Sequence, residues 1–446
     1  MPYLLNVIYL LALLILSPWL VYKSLTTGKY RRGLWRKIAG QTHCRSGGKP
    51  CVWFHGVSVG EIHLLGPIVA NFRARHPEWE CVVSTTTDTG FDEACKRFPD
   101  LPVFFWPLDF SWAVWRALRR VEPTLVALAE GELWPNFLAA AKKRGATVAV
   151  INCRMSPRAF QRYRRFGPLA RGMLRNVHLW AMQSEEYAQG LRLLGVDSAH
   201  VHVTGSVKYD GVNADRANSR TAELRRLLKV ETNDLVWICG STQAPEEEYA
   251  LHIFWRSRAD FPGLRLMLVP RQKERFDEVG RLLERSGLPF VRRSAITCPI
   301  DSAAVILVDT IGELGALWGL ADVAFVGGSL DGRRGGQNMI KPAAYGAAVV
   351  FGPHVWNFKE TASRLIAAQA AIQIHDAAEL GTVVRRLFVN REERQRLGGA
   401  ARSFVCSQQG ATNRTLDLIG RLPVFDRPKL TLPVFSHGRA SSARTV

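Results

Sequence analysis

Cys51-Val52-Trp53-Phe54-His55-Gly56-Val57-Ser58-Val59-Gly60-Glu61 is the stretch that decides the fold. Its first residues are apolar without alternation, which is how a strand covered by helices on both faces reads. Gly56, Ser58 and Gly60 then let the backbone turn tightly, and a following helix offers its first amides to an anion. One such unit predicts a parallel α/β sheet.

Outward from it the same pattern repeats. Apolar runs at 51–57, 81–86, 103–106, 125–129, 147–152, 178–183 and 201–204 alternate with amphipathic stretches. A polar stretch, 210–234, interrupts the series, which restarts at 235–239, 264–269, 304–308, 323–326 and 348–351. Two α/β lobes, joined near 215–230, are expected. The domains are drawn at 40–215 and 232–425, with an apolar anchor at 1–24 and a flexible Pro- and Ser-containing tail at 426–446. A length of 446 residues accommodates two cores. No repeat of fixed period is visible.

Residues 3–22, YLLNVIYLLALLILSPWLVY, carry no charge and have about the length of a membrane helix. Lys23, Lys29, Arg31, Arg32, Arg36 and Lys37 follow, an asymmetry that places the rest of the chain on the cytoplasmic side. Neither a basic segment before the run nor a small-residue cleavage site after it is present, so an uncleaved anchor is expected rather than a signal peptide. Asn6 and Pro18 leave open a helix lying partly in the interface. The formal charge of +20 favours anionic partners, and with no nucleic-acid signature present it points to a membrane surface. The cysteines are scattered without a CxxC pair, which fits a reducing compartment. Cys81, Cys153 and Cys239, inside or beside apolar runs, read as small buried hydrophobes.

Chemistry is expected at the carboxyl ends of the strands. Glu61 stands at a helix start, where it either complements the helix dipole or faces a ligand. Ser84 to Gly90 reads STTTDTG, a hydroxyl cluster suited to helix capping first and to binding sugar hydroxyls second. Glu130 and Glu132, in EGELWPN (130–136), are paired acids at a strand end, a costly arrangement unless functional. In the second lobe Gly240-Ser241-Thr242 and Val269-Pro270-Arg271 end strands, and an Arg beside such loops suits a phosphate or a surface ion pair. Gly327-Gly328-Ser329 and Gly335-Gly336-Gln337-Asn338 lead into a helix expected near Met339, and read as a phosphate cradle. They match neither a P-loop nor a dinucleotide fingerprint.

In order and spacing, HGVSVGE, STTTDTG, EGELWPN, INCRMSPRAFQRY, TGSVKYD, GSTQAPEEE, VPRQKERF, DTIGELGALW, FVGGS, GGQN and FGPHVWNF resemble the 3-deoxy-D-manno-octulosonic acid (Kdo) transferases over residues 1–425. The resemblance implies a GT-B fold, two Rossmann-like domains facing across a cleft, and an inner-membrane enzyme of lipopolysaccharide synthesis. It implies inverting transfer from CMP-Kdo to a lipid A precursor, without metal or cofactor. It further implies Glu61 as general base, assisted by Glu130 and Lys208, with Ser58 and Gly60 beside it. Nucleotide contacts would come from Ser241, Thr242, Pro270, Arg271, Ile311, Gly312, Glu313, Gly336, Gln337, Asn338 and Lys341. Gln243, Gln272 and Gln337 stand where that family commonly has His, and Lys341 where it has Glu. The alternatives are a relative using another activated sugar and a catalytically impaired nucleotide- or lipid-binding member. A sugar-nucleotide epimerase is disfavoured by the anchor and by EGELWPN.

Overall fold

In the computed structural model, which describes residues 2–27, 32–297 and 305–426, the chain divides into two compact units. One contains residues 1–207 and the chain from Gly410 on; the other contains Lys208–Gln409. Lys29, Arg31, Cys298, Ala304 and the tail from 427 lie outside the described residues.

The first unit is a seven-stranded sheet built from β1 (Cys51–His55), β2 (Glu80–Thr85), β3 (Val103–Phe105), β4 (Leu125–Ala129), β5 (Thr147–Cys153), β6 (Leu179–Met182) and β7 (Val201–Val203). The strands are all parallel, in the order β3-β2-β1-β4-β5-β6-β7. The continuous apolarity of β1 follows from its central place. Val52 and Phe54 pack with Ile62, Leu65 and Phe72 on one face, and Cys51 and Trp53 pack with Val126, Phe137 and Trp106 on the other. Trp53 is fully buried and donates through Nε1 to Ser84 Oγ at 2.7 Å.

The second unit has β8 (Leu235–Thr242), β9 (Leu264–Pro270), β10 (Phe290–Arg292), β11 (Val305–Leu307), β12 (Val323–Val326), β13 (Ala348–Phe351) and β14 (Ala371–Gln373). Their order is β10-β11-β9-β8-β12-β13-β14, again parallel throughout. Central β8 repeats the logic, sending Trp237 and Cys239 to one core and Val236 and Ile238 to the other.

The structure differs from the sequence reading at two edge strands, in the division of the domains and at the N-terminal helix. β10 and β14 were not expected; both are three-residue edge strands whose residues are mostly half-exposed, too short to show a period. Residues 411–425, expected in the second domain, pack in the first: Ala411, Leu416, Ile419, Leu422 and Val424 join the core under β1, and Phe425 stacks on Trp79 at 4.5 Å. The boundary expected at 215–230 falls inside the second unit, where helix Ser219–Leu227 sends Leu224, with Leu228 and Val230 behind it, into that unit's core, and the chain passes between units at 207/208 and returns at 409/410.

Residues Pro2–Thr27 form a helix, yet among the described residues no helix is long and apolar enough to cross a membrane. A narrow stripe of it docks on the first unit, with Asn6 buried and Tyr9 packed edge-on against Phe110 at 6.0 Å. Its remaining apolar side chains, including Tyr3, Leu4, Val7, Ile8, Leu14 and Ile15, are half to four-fifths exposed. The basic collar behind it is partly absorbed into the unit: Lys37 donates to Thr86 O at 2.7 Å and lies over Phe105, and Arg32 pairs with Asp92.

Candidate active-site and nucleotide-binding residues

In the first unit the carboxyl ends of β1, β4 and β5 carry one polar group. Ser58 caps the helix Val59–Arg75 by accepting from Glu61 N, and the Glu61 carboxylate turns back to accept from Val57 N at 2.7 Å and from Ser58 Oγ at 3.2 Å. This is a variant of the S-x-x-E capping box in which the carboxylate takes the amide just before the cap residue rather than the cap's own. The reading of Glu61 as a helix-start carboxylate is met in this geometry, and the cap immobilises the carboxylate at the strand end. Burial pushes Glu61 up to about 7, against the Val57 amide bond, with the charges of Glu130 and Glu132 adding to the rise. Gly60 is in the first helical turn, beside Ser58.

Glu130 directly follows β4 with φ +58° and Asn152 sits within β5 with φ +52°, both left-handed conformations that non-glycine residues adopt at a cost. Asn152 Nδ2 lies 3.4 Å from Glu130 Oε1, and Arg154 lies 3.7 Å from Glu130 Oε2. Asn152 Oδ1 accepts from Val207 N at 3.0 Å, so one asparagine ties Glu130 to the last residue of the first unit before the chain leaves it. The sequence reading missed Asn152; its signal was the Asn in INCR at a strand's carboxyl end. Burial raises Glu132 as well. Beneath this edge His55 is fully buried, stacked on Trp106 at 3.9 Å with Nδ1 2.9 Å from Ser84 Oγ. Burial pushes it down to about 3, which makes it a neutral packing group.

In the second unit the glycine loops form around a carboxylate. Glu246, at the start of the helix Glu246–Ser257, is 1% exposed. Its carboxylate accepts from Gln243 N at 2.9 Å, Gly328 N at 2.7 Å, Ser329 N at 3.0 Å and Leu330 N at 3.2 Å. Any Cβ at residue 327 would lie 2.6 Å from Glu246 Oε2, which explains the glycine. The expected phosphate cradle is corrected accordingly: the amides of 328–330 already bind an anion of the chain itself. The expected helix after Asn338 is the short Ile340–Ala344, whose first amide is capped by Asn338 Oδ1 at 2.9 Å. Gly336, at φ +76°, donates to Gly328 O at 2.8 Å, and Gln337 lies beside Gly328. Lys341 is exposed.

Ser241 takes φ +58° at a bulge between Gly240 and Thr242. Thr242 is fully buried with its hydroxyl lacking a hydrogen-bond partner, and its carbonyl accepts from Arg271 N at 3.1 Å. Arg271 follows buried Pro270 and is exposed, and among the described residues no carboxylate lies within ion-pair distance of it. Ile311 is 70% exposed beside Gly312 at φ +93°. Glu313 is committed elsewhere, to Arg220 at 2.7 Å, Arg293 at 2.9 Å and the Thr310 hydroxyl. Its side chain clamps this loop, and the loop's exposed part is Ile311-Gly312. Among the described residues no group of three or more His, Cys, Asp or Glu is placed to hold a metal.

Residues 29–211 match the family described as 3-deoxy-D-manno-octulosonic-acid transferase (Kdo transferase). A 3-deoxy-D-manno-octulosonic acid transferase of Haemophilus influenzae is 33% identical, over 82% of this chain and 86% of its own. One of Bordetella pertussis is also 33% identical, over 92% of this chain and 98% of its own. Among solved structures, a glycosyltransferase of Rickettsia africae covers 86% of this chain and 100% of its own at a TM-score of 0.53 and 12% identity, a likeness of fold.

Proposed function

The chain belongs to the Kdo transferase family, glycosyltransferases of lipopolysaccharide biosynthesis, and from that premise we propose that it moves Kdo from CMP-Kdo to a lipid A precursor with Glu61 as the base. The observation that carries this reading is the capping-box carboxylate of Glu61, immobilised by two donors and raised by burial to about 7. A base works best when its pKa lies near the working pH. In an inverting transfer Glu61 takes the proton of the acceptor hydroxyl. The acceptor oxygen bonds to the anomeric carbon, and that carbon's bond to the CMP phosphate oxygen breaks, with the electron pair leaving on CMP.

The remaining roles belong to the same proposal. Glu130 and Lys208 support the charge that develops around the acceptor. Ser241, Thr242, Pro270, Arg271 and the exposed Ile311-Gly312 edge hold the nucleotide, with Arg271 available to the phosphate. Gly336, Gln337, Asn338 and Lys341 contribute through their loop. The first unit is the acceptor domain and the second the donor domain. The apolar face of helix Pro2–Thr27 supports attachment to the cytoplasmic face of the inner membrane, since an exposed apolar surface of that extent needs a non-aqueous neighbour.

The test is direct. Purified full-length protein, with CMP-Kdo generated in situ and a lipid A precursor in mixed micelles, yields a lipid heavier by one or more Kdo residues. Unmodified lipid together with intact donor would overturn the assignment of donor and acceptor.

A further inference from the structure

The N-terminal helix and the start of the helix Pro135–Lys143, which follows the turn that bears Glu130 and Glu132, share a buried polar cluster centred on Asp109. The Asp109 carboxylate accepts from Asn136 N at 3.0 Å and Phe137 N at 2.8 Å, capping the helix Pro135–Lys143 that begins where EGELWPN ends. The Asn136 amide donates back to Asp109 O at 2.6 Å. From the N-terminal helix, Tyr9 donates its hydroxyl to Asp109 Oδ2 at 3.1 Å. Asn6 exchanges two bonds with Ser111, Nδ2 to Oγ at 2.7 Å and Oδ1 from the Ser111 amide at 2.9 Å, and its Oδ1 lies 3.4 Å from Asn136 Nδ2. Asn6, Asp109 and Asn136 are 6%, 5% and 4% exposed.

Polar side chains on an otherwise apolar helix are expensive unless partnered, and partnered polar clusters impose one geometry where apolar packing tolerates sliding. A tether would need neither Asn6 nor Tyr9. We propose that Asp109 is a positioning residue that couples the N-terminal helix to the 130–136 turn, so that the surface in which the helix lies and the acids that meet the acceptor form one rigid piece. A membrane-bound acceptor sugar then arrives at a fixed depth relative to Glu130 and Glu132. This rests on the reading of the acceptor as a membrane lipid.

The double variant Asn6→Ala/Tyr9→Phe removes the helix's side of the cluster and leaves Asp109 on the Asn136 and Phe137 amides. On anionic phospholipid vesicles its co-flotation and donor KM are expected to match wild type, while hydrogen exchange at Asn136 and Phe137 accelerates. Turnover of vesicle-borne acceptor is expected to fall about tenfold, a change of ~1.4 kcal/mol in barrier, whereas a deacylated, water-soluble acceptor is turned over as by wild type. Asp109→Asn, which sets an amide NH2 against backbone N–H groups, is expected to slow both acceptors. Unchanged exchange at 136–137, or an equal loss with both acceptors in the double variant, would overturn the coupling. If wild type turned over neither acceptor, the functional reading would fail and the exchange rates alone would decide the coupling.

Discussion

At the scale of single residues, two carboxylates explain most of the chemistry-bearing pattern. Glu61 is raised from an ordinary value of 4.5 to about 7 because it is buried among other acids. A raised carboxyl pKa means the folded chain holds that proton more tightly than the unfolded one, so this group's contribution to stability declines as pH rises from about 4.5 through about 7. Activity runs the other way, since the base must be ionised. We expect kcat/KM to climb with pH and level off above about 7, and a flat profile from pH 5 to 9 would show that Glu61 does not govern the rate. Glu246 is the second case. Glu246→Gln places an NH2 where four backbone amides point inward, and is expected to cost about 2–3 kcal/mol in denaturant unfolding and to weaken CMP binding. The helix start at Glu61 was legible in the sequence, whereas the cap it shares with Ser58 was signalled by the S-x-x-E spacing and not read. That Glu246 fills the glycine loop was not legible, because 82 residues separate it from Gly328 and only the fold brings them together.

At the scale of elements, twelve of the strands were legible because burial on both faces leaves each a run of mostly apolar residues. The edge strands β10 and β14 and the return of the C-terminal helix were not, since each depends on what it packs against. Helix Ala411–Gly420 supplies Leu416 and Ile419 to the core holding Ile62 and Leu65. Ending the chain at Gln409 is therefore expected to lower the melting temperature of the first unit and leave that of the second, read by calorimetry of the shortened chain beside the full one. A loss confined to the second unit would contradict this packing. In β1, Trp53→Ala is expected to cost about 3–5 kcal/mol, as for other large buried aromatics.

At the scale of the whole molecule, family membership and membrane attachment carry different weight. The family strings were legible as ordered motifs, whereas the N-terminal run gave only half of its story: Asn6 and Tyr9 dock on the first unit while the rest of the helix stays apolar and exposed. With Lys37 engaged inside the unit and Arg32 paired with Asp92 at its surface, part of the collar's charge is already committed, and charge attraction contributes less to attachment than the collar's composition implies. Salt at about 1 M, where screening acts within ~3 Å, is expected to leave the full chain on membranes, and deletion of 1–27 to release it in the same wash. Retention of the shortened chain would shift attachment to another surface. The central claim is that Glu61 takes the acceptor's proton, and single-turnover rates of Glu61→Gln at saturating CMP-Kdo test it most directly. The account predicts a loss of about 10²–10⁴-fold with CMP affinity unchanged; a rate within a few-fold of wild type would contradict it.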